Sequence, residues 1–192
     1  MAITLEVWED AGAKTGSVGT VRQEVNNIGW RDSILDETYP SVDYPVRRQT
    51  SGAYTSFTKY NYFKISGTYP AATRFRVQLV GDVNGAAHDG LTATDGLRIY
   101  YKWTDTYETP TNTLMTGGAF FDDQSPIWYP DLSTSGPEAA TSRPNVCAAN
   151  TTYYSAYLVT QLYVEEGNTS KYGNIGALQV VFNIDEYENT DY

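Results

Sequence analysis

Residues 156–164 read AYLVTQLYV and residues 175–186 read IGALQVVFNIDE, and these two runs decide the fold. In the second run, large apolar residues alternate with smaller or polar ones from Leu178 to Ile184. A period of two residues is typical of a half-buried β-strand. The stretch 165–173 between the runs is short and polar, so the sequence predicts a carboxy-terminal hairpin with its apolar row on a core.

The same alternation appears upstream and predicts further strands. They are Ile3–Val7, Ser56–Gly67, Arg74–Val80 and Leu97–Trp103. We expect the second and third of these to form another hairpin across a Gly-Thr-Tyr-Pro turn. The stretch Val18–Ser33 has no clean period and is predicted to be irregular.

The composition agrees with a fold made of strands. Tyr alone contributes 17 residues, whereas charged residues are only 19% of the chain. Aromatic and β-branched side chains fit the pleated surface of a sheet better than a helix. The 192 residues are enough for one sizeable core. The predicted fold class is therefore all-β, a single antiparallel β-sandwich of jelly-roll or immunoglobulin-like type with long loops, over residues 1–192.

Two long segments interrupt the predicted strands. Residues 35–51 contain Pro40 and Pro45, each after a tyrosine, and predict an extended Pro/Tyr-rich arm. Residues 104–152 carry many proline and glycine turn signals and predict a long loop insertion, in which only 118–121 looks like a strand. Loops of this length in a compact domain are usually functional, so we expect the insertion to contact a partner.

The net charge of −10 limits the classes of partner. Nucleic acids and anionic membranes are recognised by clustered Lys and Arg, so neither is an expected partner. No run approaches the roughly 20 apolar residues of a membrane-spanning helix. The amino terminus lacks the features of a signal peptide, so we expect synthesis in a cytoplasm. The remaining partners are other proteins or neutral sugars.

No motif in the sequence predicts catalysis, a metal site or a cofactor. His88 is the sole histidine and lies in a glycine-rich turn without a nucleophile motif. Cys147 is the sole cysteine, which excludes an intrachain disulfide and a thiolate zinc site. The acidic residues near His88 resemble a calcium loop, but Ala86 and Ala93 stand at ligand positions. The chain has 23 acidic residues, so a pair of catalytic carboxylates could be chosen almost anywhere and carries no signal. With no other catalytic motif present, we expect that the protein is not an enzyme.

Aromatic residues offer one alternative function, a carbohydrate-binding or receptor-recognition module. Flat rings with polar edges suit wet binding surfaces that stack against sugars. The candidates for such a platform are Trp103, Trp128, Tyr129, Tyr153 and Tyr154.

The closing runs also carry a family resemblance. Residues 157–164 (YLVTQLYV), a glycine turn and residues 177–187 (ALQVVFNIDEY) resemble the closing hairpin of small β-sandwich virion proteins of tailed bacteriophages. The stretch Asn26–Trp30, ahead of the Pro/Tyr-rich arm, is similar to them as well. The resemblance implies a non-enzymatic structural protein located in the virion that packs against capsid, neck or tail subunits in a symmetric assembly, as a cement, decoration or assembly component.

The candidate contact residues follow from this hypothesis. Tyrosine, tryptophan and arginine are the types that protein interfaces use most as anchors. Tyr60 and Tyr62 are expected on the outer face of the second hairpin, beside Arg74 and Arg76. The full set of interface candidates is Arg47, Arg48, Tyr60, Tyr62, Trp128 and Tyr129.

Overall fold

The structure is a computed structural model that describes residues 2–25, 30, 52–68, 71–80, 97–120, 127–128, 131–142, 147–164 and 179–186. Side chains are described for these residues except 2, 71–76, 78–80, 97, 120, 127–128 and 179–186. The arm at 35–51 and the turn around His88 lie outside the described residues, so their predictions stay predictions. The same is true of the single-domain organisation over 1–192.

The described residues form strands in two antiparallel sheets. The strands are β1 (Ala2–Thr15), β2 (Val18–Glu24), β3 (Tyr54–Thr55), β4 (Lys59–Thr68), β5 (Ala71–Val80), β6 (Leu97–Thr104), β7 (Ala119–Phe120), β8 (Ile127–Trp128), β9 (Leu132–Ser133), β10 (Cys147–Ala148), β11 (Tyr153–Ser155), β12 (Tyr157–Val164) and β13 (Gln179–Glu186). A 3-10 helix covers Pro137–Ala139. The large sheet runs β2-β1-β4-β12-β6-β7, with β3, β9 and β11 beside it, and the small sheet contains β10, β5, β13 and β8.

The two sheets share an apolar core, as the prediction of an all-β sandwich requires. Val77 of the small sheet packs with Phe63, Ile99 and Leu158 of the large sheet. Cys147 of the small sheet is fully buried in a second part of this core, beside Ile65 and Leu132 of the large sheet. The predicted fold class, an antiparallel β-sandwich, is therefore confirmed. We call the side of the large sheet that faces the small sheet its inner face.

Both predicted hairpins are wrong in their pairing, although their strands exist. Strand β12 pairs with β6, β4 and β3, whereas β13 pairs with β5 in the other sheet. Strand β4 pairs with β1, β11 and β12, so β4 and β5 also belong to different sheets. The physical reason is that strand periodicity shows which face of a strand is buried but does not encode which sheet of the sandwich the strand joins.

The amino-terminal strands form the hairpin that the sequence prediction missed. Strands β1 and β2 pair across a two-residue turn, with Thr15 opposite Val18. Gly16 has φ 66°, a conformation that glycine adopts without steric cost. The prediction of an irregular stretch at 18–33 is therefore wrong for Val18–Glu24, which among the described strands stands at one edge of the large sheet.

Part of the loop insertion covers the outer face of the large sheet, the face that points away from the small sheet, whereas its strands β8 and β10 belong to the small sheet. Tyr107 and Met115 from the insertion lie in a second buried cluster with Tyr60, Tyr62 and Tyr157, which project from the outer faces of β4 and β12. Tyr107 is fully buried. The insertion thus contributes core to this chain, beyond the short strands β7, β8, β9 and β10 and the 3-10 helix that it also contains.

Gln161 joins the insertion to the large sheet through hydrogen bonds. Its side chain is fully buried on the outer face of β12. Its amide nitrogen donates to the carbonyl oxygens of Ser56 at 2.8 Å and Thr113 at 3.0 Å, and its amide oxygen accepts from the backbone N–H of Met115 at 2.9 Å. Buried backbone groups need such partners, because an unpaired one costs the full desolvation penalty.

Replacing Gln161 by leucine is predicted to lower the free energy of unfolding by about 2 to 4 kcal/mol, because buried backbone groups lose their partners. Urea unfolding measures the change. The matched control is Gln23→Leu, since the side-chain nitrogen of Gln23 is buried without a hydrogen-bond partner. We expect a change within about 0.5 kcal/mol for the control. Equal effects of the two substitutions would contradict the role of Gln161.

Candidate functional site

The most concentrated polar chemistry of the described residues is a cluster on the outer face of the large sheet. We call Asp10, Arg22, Glu138 and Tyr157 the arginine cluster. Strand β1 supplies Asp10, β2 supplies Arg22, β12 supplies Tyr157, and the 3-10 helix of the insertion supplies Glu138. Cross-strand pairing places Asp10 directly opposite Arg22. The cluster therefore joins the edge hairpin, a central strand and the insertion.

Arg22 and Asp10 form a two-pronged ion pair. Arg22 Nε donates to Asp10 Oδ1 and Arg22 Nη2 donates to Asp10 Oδ2, each at 2.7 Å. Paired N–H donors matched to a carboxylate give strong and directional hydrogen bonds. The Asp10 side chain is fully buried, whereas the Arg22 side chain remains 34% exposed. Hydrogen bonding to Asp10 raises the pKa of the Arg22 guanidinium above its already high value.

Tyr157 and Glu138 complete the cluster. Arg22 Nη2 also contacts Glu138 Oε1, and it donates to Tyr157 Oη at 2.9 Å. Tyr157 Oη donates to Asp10 Oδ2 and lies 3.0 Å from Glu138 Oε1. Burial and the hydrogen bond to Asp10 raise the pKa of the Tyr157 hydroxyl. Tyr157 therefore stays protonated and acts as a hydrogen-bond donor, which is the opposite of an activated nucleophile.

A layer of buried tyrosines surrounds the cluster. The centroid of the Tyr60 ring lies 4.8 Å from that of Tyr107 and 5.8 Å from that of Tyr157. The centroids of the Tyr62 and Tyr157 rings lie 5.8 Å apart, in edge-to-face contact. Such pairs of rings stabilise beyond their buried area. Arg22 lies 5.3 Å above the centre of the Tyr62 ring. Burial raises the pKa of Tyr60 to about 12 and also raises the pKa values of Tyr62 and Tyr107.

The structure corrects the predicted position of two interface candidates. Tyr60 and Tyr62 were expected on an exposed outer face, but they are only 5% and 3% exposed. The reason is that the insertion covers this face and packs Tyr107 and Met115 against them. Both tyrosines belong to the interior of this chain and present almost no surface to a partner.

The structure does not show the side chains of the other interface candidates, so it does not place them together. Arg47, Arg48 and Tyr129 lie outside the described residues, and of Trp128 the structure describes only the backbone, which pairs with Arg76. Of the sugar-platform candidates, Trp103 packs against the inner core, Tyr153 against the core around Cys147, and Tyr154 against the tyrosine layer.

The sequence prediction missed the arginine cluster because its members are far apart in the chain. Tyr157 and Asp10 are 147 residues apart, and Arg22 and Glu138 are 116 apart. One signal was available, since the Gly16-Ser17 pair between two runs of strand-forming residues is typical of a tight hairpin. That hairpin would have placed Arg22 near Asp10. No local signal points to Glu138.

Within the described ranges, no group of three or more His, Cys, Asp or Glu residues is arranged to hold a metal ion. No helix in the same part of the chain is long and apolar enough to cross a membrane. No known protein family, curated protein or solved structure matches the chain. The resemblance to phage virion proteins therefore rests on sequence pattern alone and stays a prediction.

The buried tyrosines predict a loss of stability at alkaline pH. An exposed tyrosine in the unfolded chain titrates near pH 10, and the folded-state pKa values are higher. The folded state therefore holds more protons than the unfolded state above this pH, so stability is complete below about pH 10 and falls as pH rises toward 12.

Urea unfolding between about pH 8 and 11.5 tests this, with tyrosinate absorbance as a second signal. Each buried tyrosine contributes a slope of about −1.4 kcal/mol per pH unit once the unfolded chain is deprotonated. Tyr60→Phe is expected to reduce the slope by about one such contribution. Titration of all tyrosines near pH 10 with an unchanged folded spectrum would contradict the burial of this layer.

Proposed function

We propose that this chain is a non-enzymatic structural protein that works by contact with other protein subunits, as a capsid, neck or tail component of a tailed-phage virion. The observation that carries the proposal is the arginine cluster. Its strongest hydrogen-bonding groups are bonded to one another and join separate segments of the chain. These groups hold the insertion on the sheet, which favours a shape-keeping role over chemistry at this site.

A rigid insertion suits a protein that positions contact surfaces for neighbouring subunits. Gln161 and Glu138 anchor the insertion at two separate points, and Lys14 adds a third through its ion pair with Glu108 at 2.8 Å. Interfaces that are already ordered before binding lose less conformational entropy when the partner binds. In a symmetric assembly, many copies of one modest contact give a large total free energy.

Contacts are expected on surfaces that this chain leaves open. Arg47, Arg48, Trp128 and Tyr129 remain the proposed anchors, and Tyr60 and Tyr62 are withdrawn because the insertion covers them. The edge strand β2 adds a second surface. Among the described strands it pairs only with β1, and Thr20, Arg22 and Glu24 alternate along it as its more exposed residues. Sheet edges of this kind accept a strand from another chain, although charged residues limit such pairing to matched partners.

The proposal predicts that the chain forms a stable complex with a capsid, neck or tail subunit of the same virus. Co-expression with each of these subunits, followed by size-exclusion chromatography with light scattering, measures the complex. Replacing Arg47 and Arg48 together by alanine is expected to weaken binding about tenfold or more. The control is Lys64→Ala, a basic residue of β4 that pairs with Glu6 within the chain.

A stable monomer that binds none of these subunits would contradict the proposal. Saturable glycan binding that is lost in Trp128→Ala would instead support the carbohydrate-binding alternative.

A further inference from the structure

A buried pair of opposite charge lies on the inner face of the large sheet and is separate from the arginine cluster. Lys59 Nζ donates to Glu9 Oε1 at 2.7 Å. The side chains of Lys59 and Glu9 are only 3% and 1% exposed. Burying two ions costs several kcal/mol of desolvation for each, which their mutual attraction repays only with excellent geometry. A pair this deep therefore calls for a physical explanation.

The surroundings of the pair exclude water. Lys59 lies opposite Thr160 on β12, and the Trp30 indole N–H donates to Thr160 Oγ1 at 3.1 Å. Trp30 itself packs against the inner core, and Thr160 is buried. A dry site of this kind replaces the hydration of reacting groups by fixed protein groups and prevents competing hydrolysis.

The neighbour of the pair in the sheet, Asn61, carries an unsatisfied side-chain oxygen. Asn61 is directly opposite Glu9 in the ladder between β1 and β4, and it is two residues from Lys59 on the same face of β4. Asn61 is 1% exposed, and its Oδ1 has no hydrogen-bond partner. An unpaired buried acceptor is uncommon and costs about 1 to 3 kcal/mol. The site thus holds an amine, a carboxyl group and a free acceptor.

We propose that Lys59 and Glu9 condense to an intramolecular amide that cross-links β4 to β1. A proton passes from Lys59 Nζ to the Glu9 carboxylate along their hydrogen bond, which gives a neutral amine and a carboxylic acid. The nitrogen lone pair attacks the Glu9 carboxyl carbon, the new C–N bond forms, and one C–O bond breaks. The departing oxygen leaves as one water molecule, and the amide nitrogen keeps one hydrogen. No other reagent is consumed.

The geometry favours this reaction in two ways. A fixed contact at 2.7 Å gives the two groups a very high effective concentration, which is worth as much as about 10⁵ to 10⁸ M in well-oriented intramolecular reactions. The product also removes both buried charges.

The cross-link closes the chain between residues 9 and 59. Such closure restricts the unfolded chain and so stabilises the folded one, as a disulfide does. Cys147 is the only cysteine, so the chain has no disulfide of its own to serve this purpose. The inference goes beyond the proposed function, and either can fail without the other.

Intact-mass spectrometry of the full-length, denatured chain tests the proposal. We expect a mass about 18 Da below that of the linear chain, the mass of one water. Trypsin is expected to release a branched peptide that joins the fragment ending at Lys14 to the fragment Gln49–Lys64, with no cleavage after Lys59. Fragmentation of this peptide identifies the joined side chains.

Two variants sharpen the test. Lys59→Arg keeps the positive charge but has no condensing amine, so it is expected at its full linear mass. Glu9→Gln still offers an acyl group and is expected to lose about 17 Da as ammonia, with the same branched peptide. A folded wild-type chain at its full linear mass would overturn the proposal. A branch from Lys59 to Asn61 would also overturn it, because Glu9 would then not be the acyl group.

Discussion

Strand β12 is buried on both of its faces, and the rest of the described structure depends on which segments pack against each face. Its residues from Tyr157 to Leu162 are all buried. The small sheet covers the inner row through Val77, and the insertion covers the outer row through Tyr107 and Met115. A strand buried on both faces reads as a nearly continuous apolar run, which is how residues 157–164 read in the sequence. The large sheet is therefore the middle layer of the described fold.

Polar side chains determine where the insertion attaches to the outer face of the large sheet. An insertion rich in turns carries many backbone groups that must find partners once they are buried. Gln161 supplies partners in the middle of β12, and the arginine cluster holds Glu138 at its amino-terminal end. These contacts fix the positions of the chain segments, whereas the tyrosine rings pack together as buried apolar surface. The proposed role as an assembly subunit relies on the same contacts.

Local pattern predicted much of the strand content and failed at the pairing. Alternation placed β4 and β6 correctly, and a mostly apolar run placed β12. The pairing of β12 with β13 was wrong because neighbouring strands in sequence need not share a sheet. The burial of Tyr60 was missed because the insertion that covers it has no periodicity of its own. Some contacts join distant segments of the chain, such as Gln161 with Met115 and Glu9 with Lys59. No local sequence pattern predicts these contacts.

Residues 107–115 of the insertion form a packed layer on the outer face of the large sheet. Backbone amide exchange measured by NMR tests it most directly at Thr111 and Met115, whose N–H groups donate to Thr58 Oγ1 and Gln161 Oε1. We expect these amides to exchange about a thousandfold more slowly than in an unstructured chain, and the amides of β12 to exchange more slowly still. Exchange of both amides at the unstructured rate, while β12 stays protected, would contradict it.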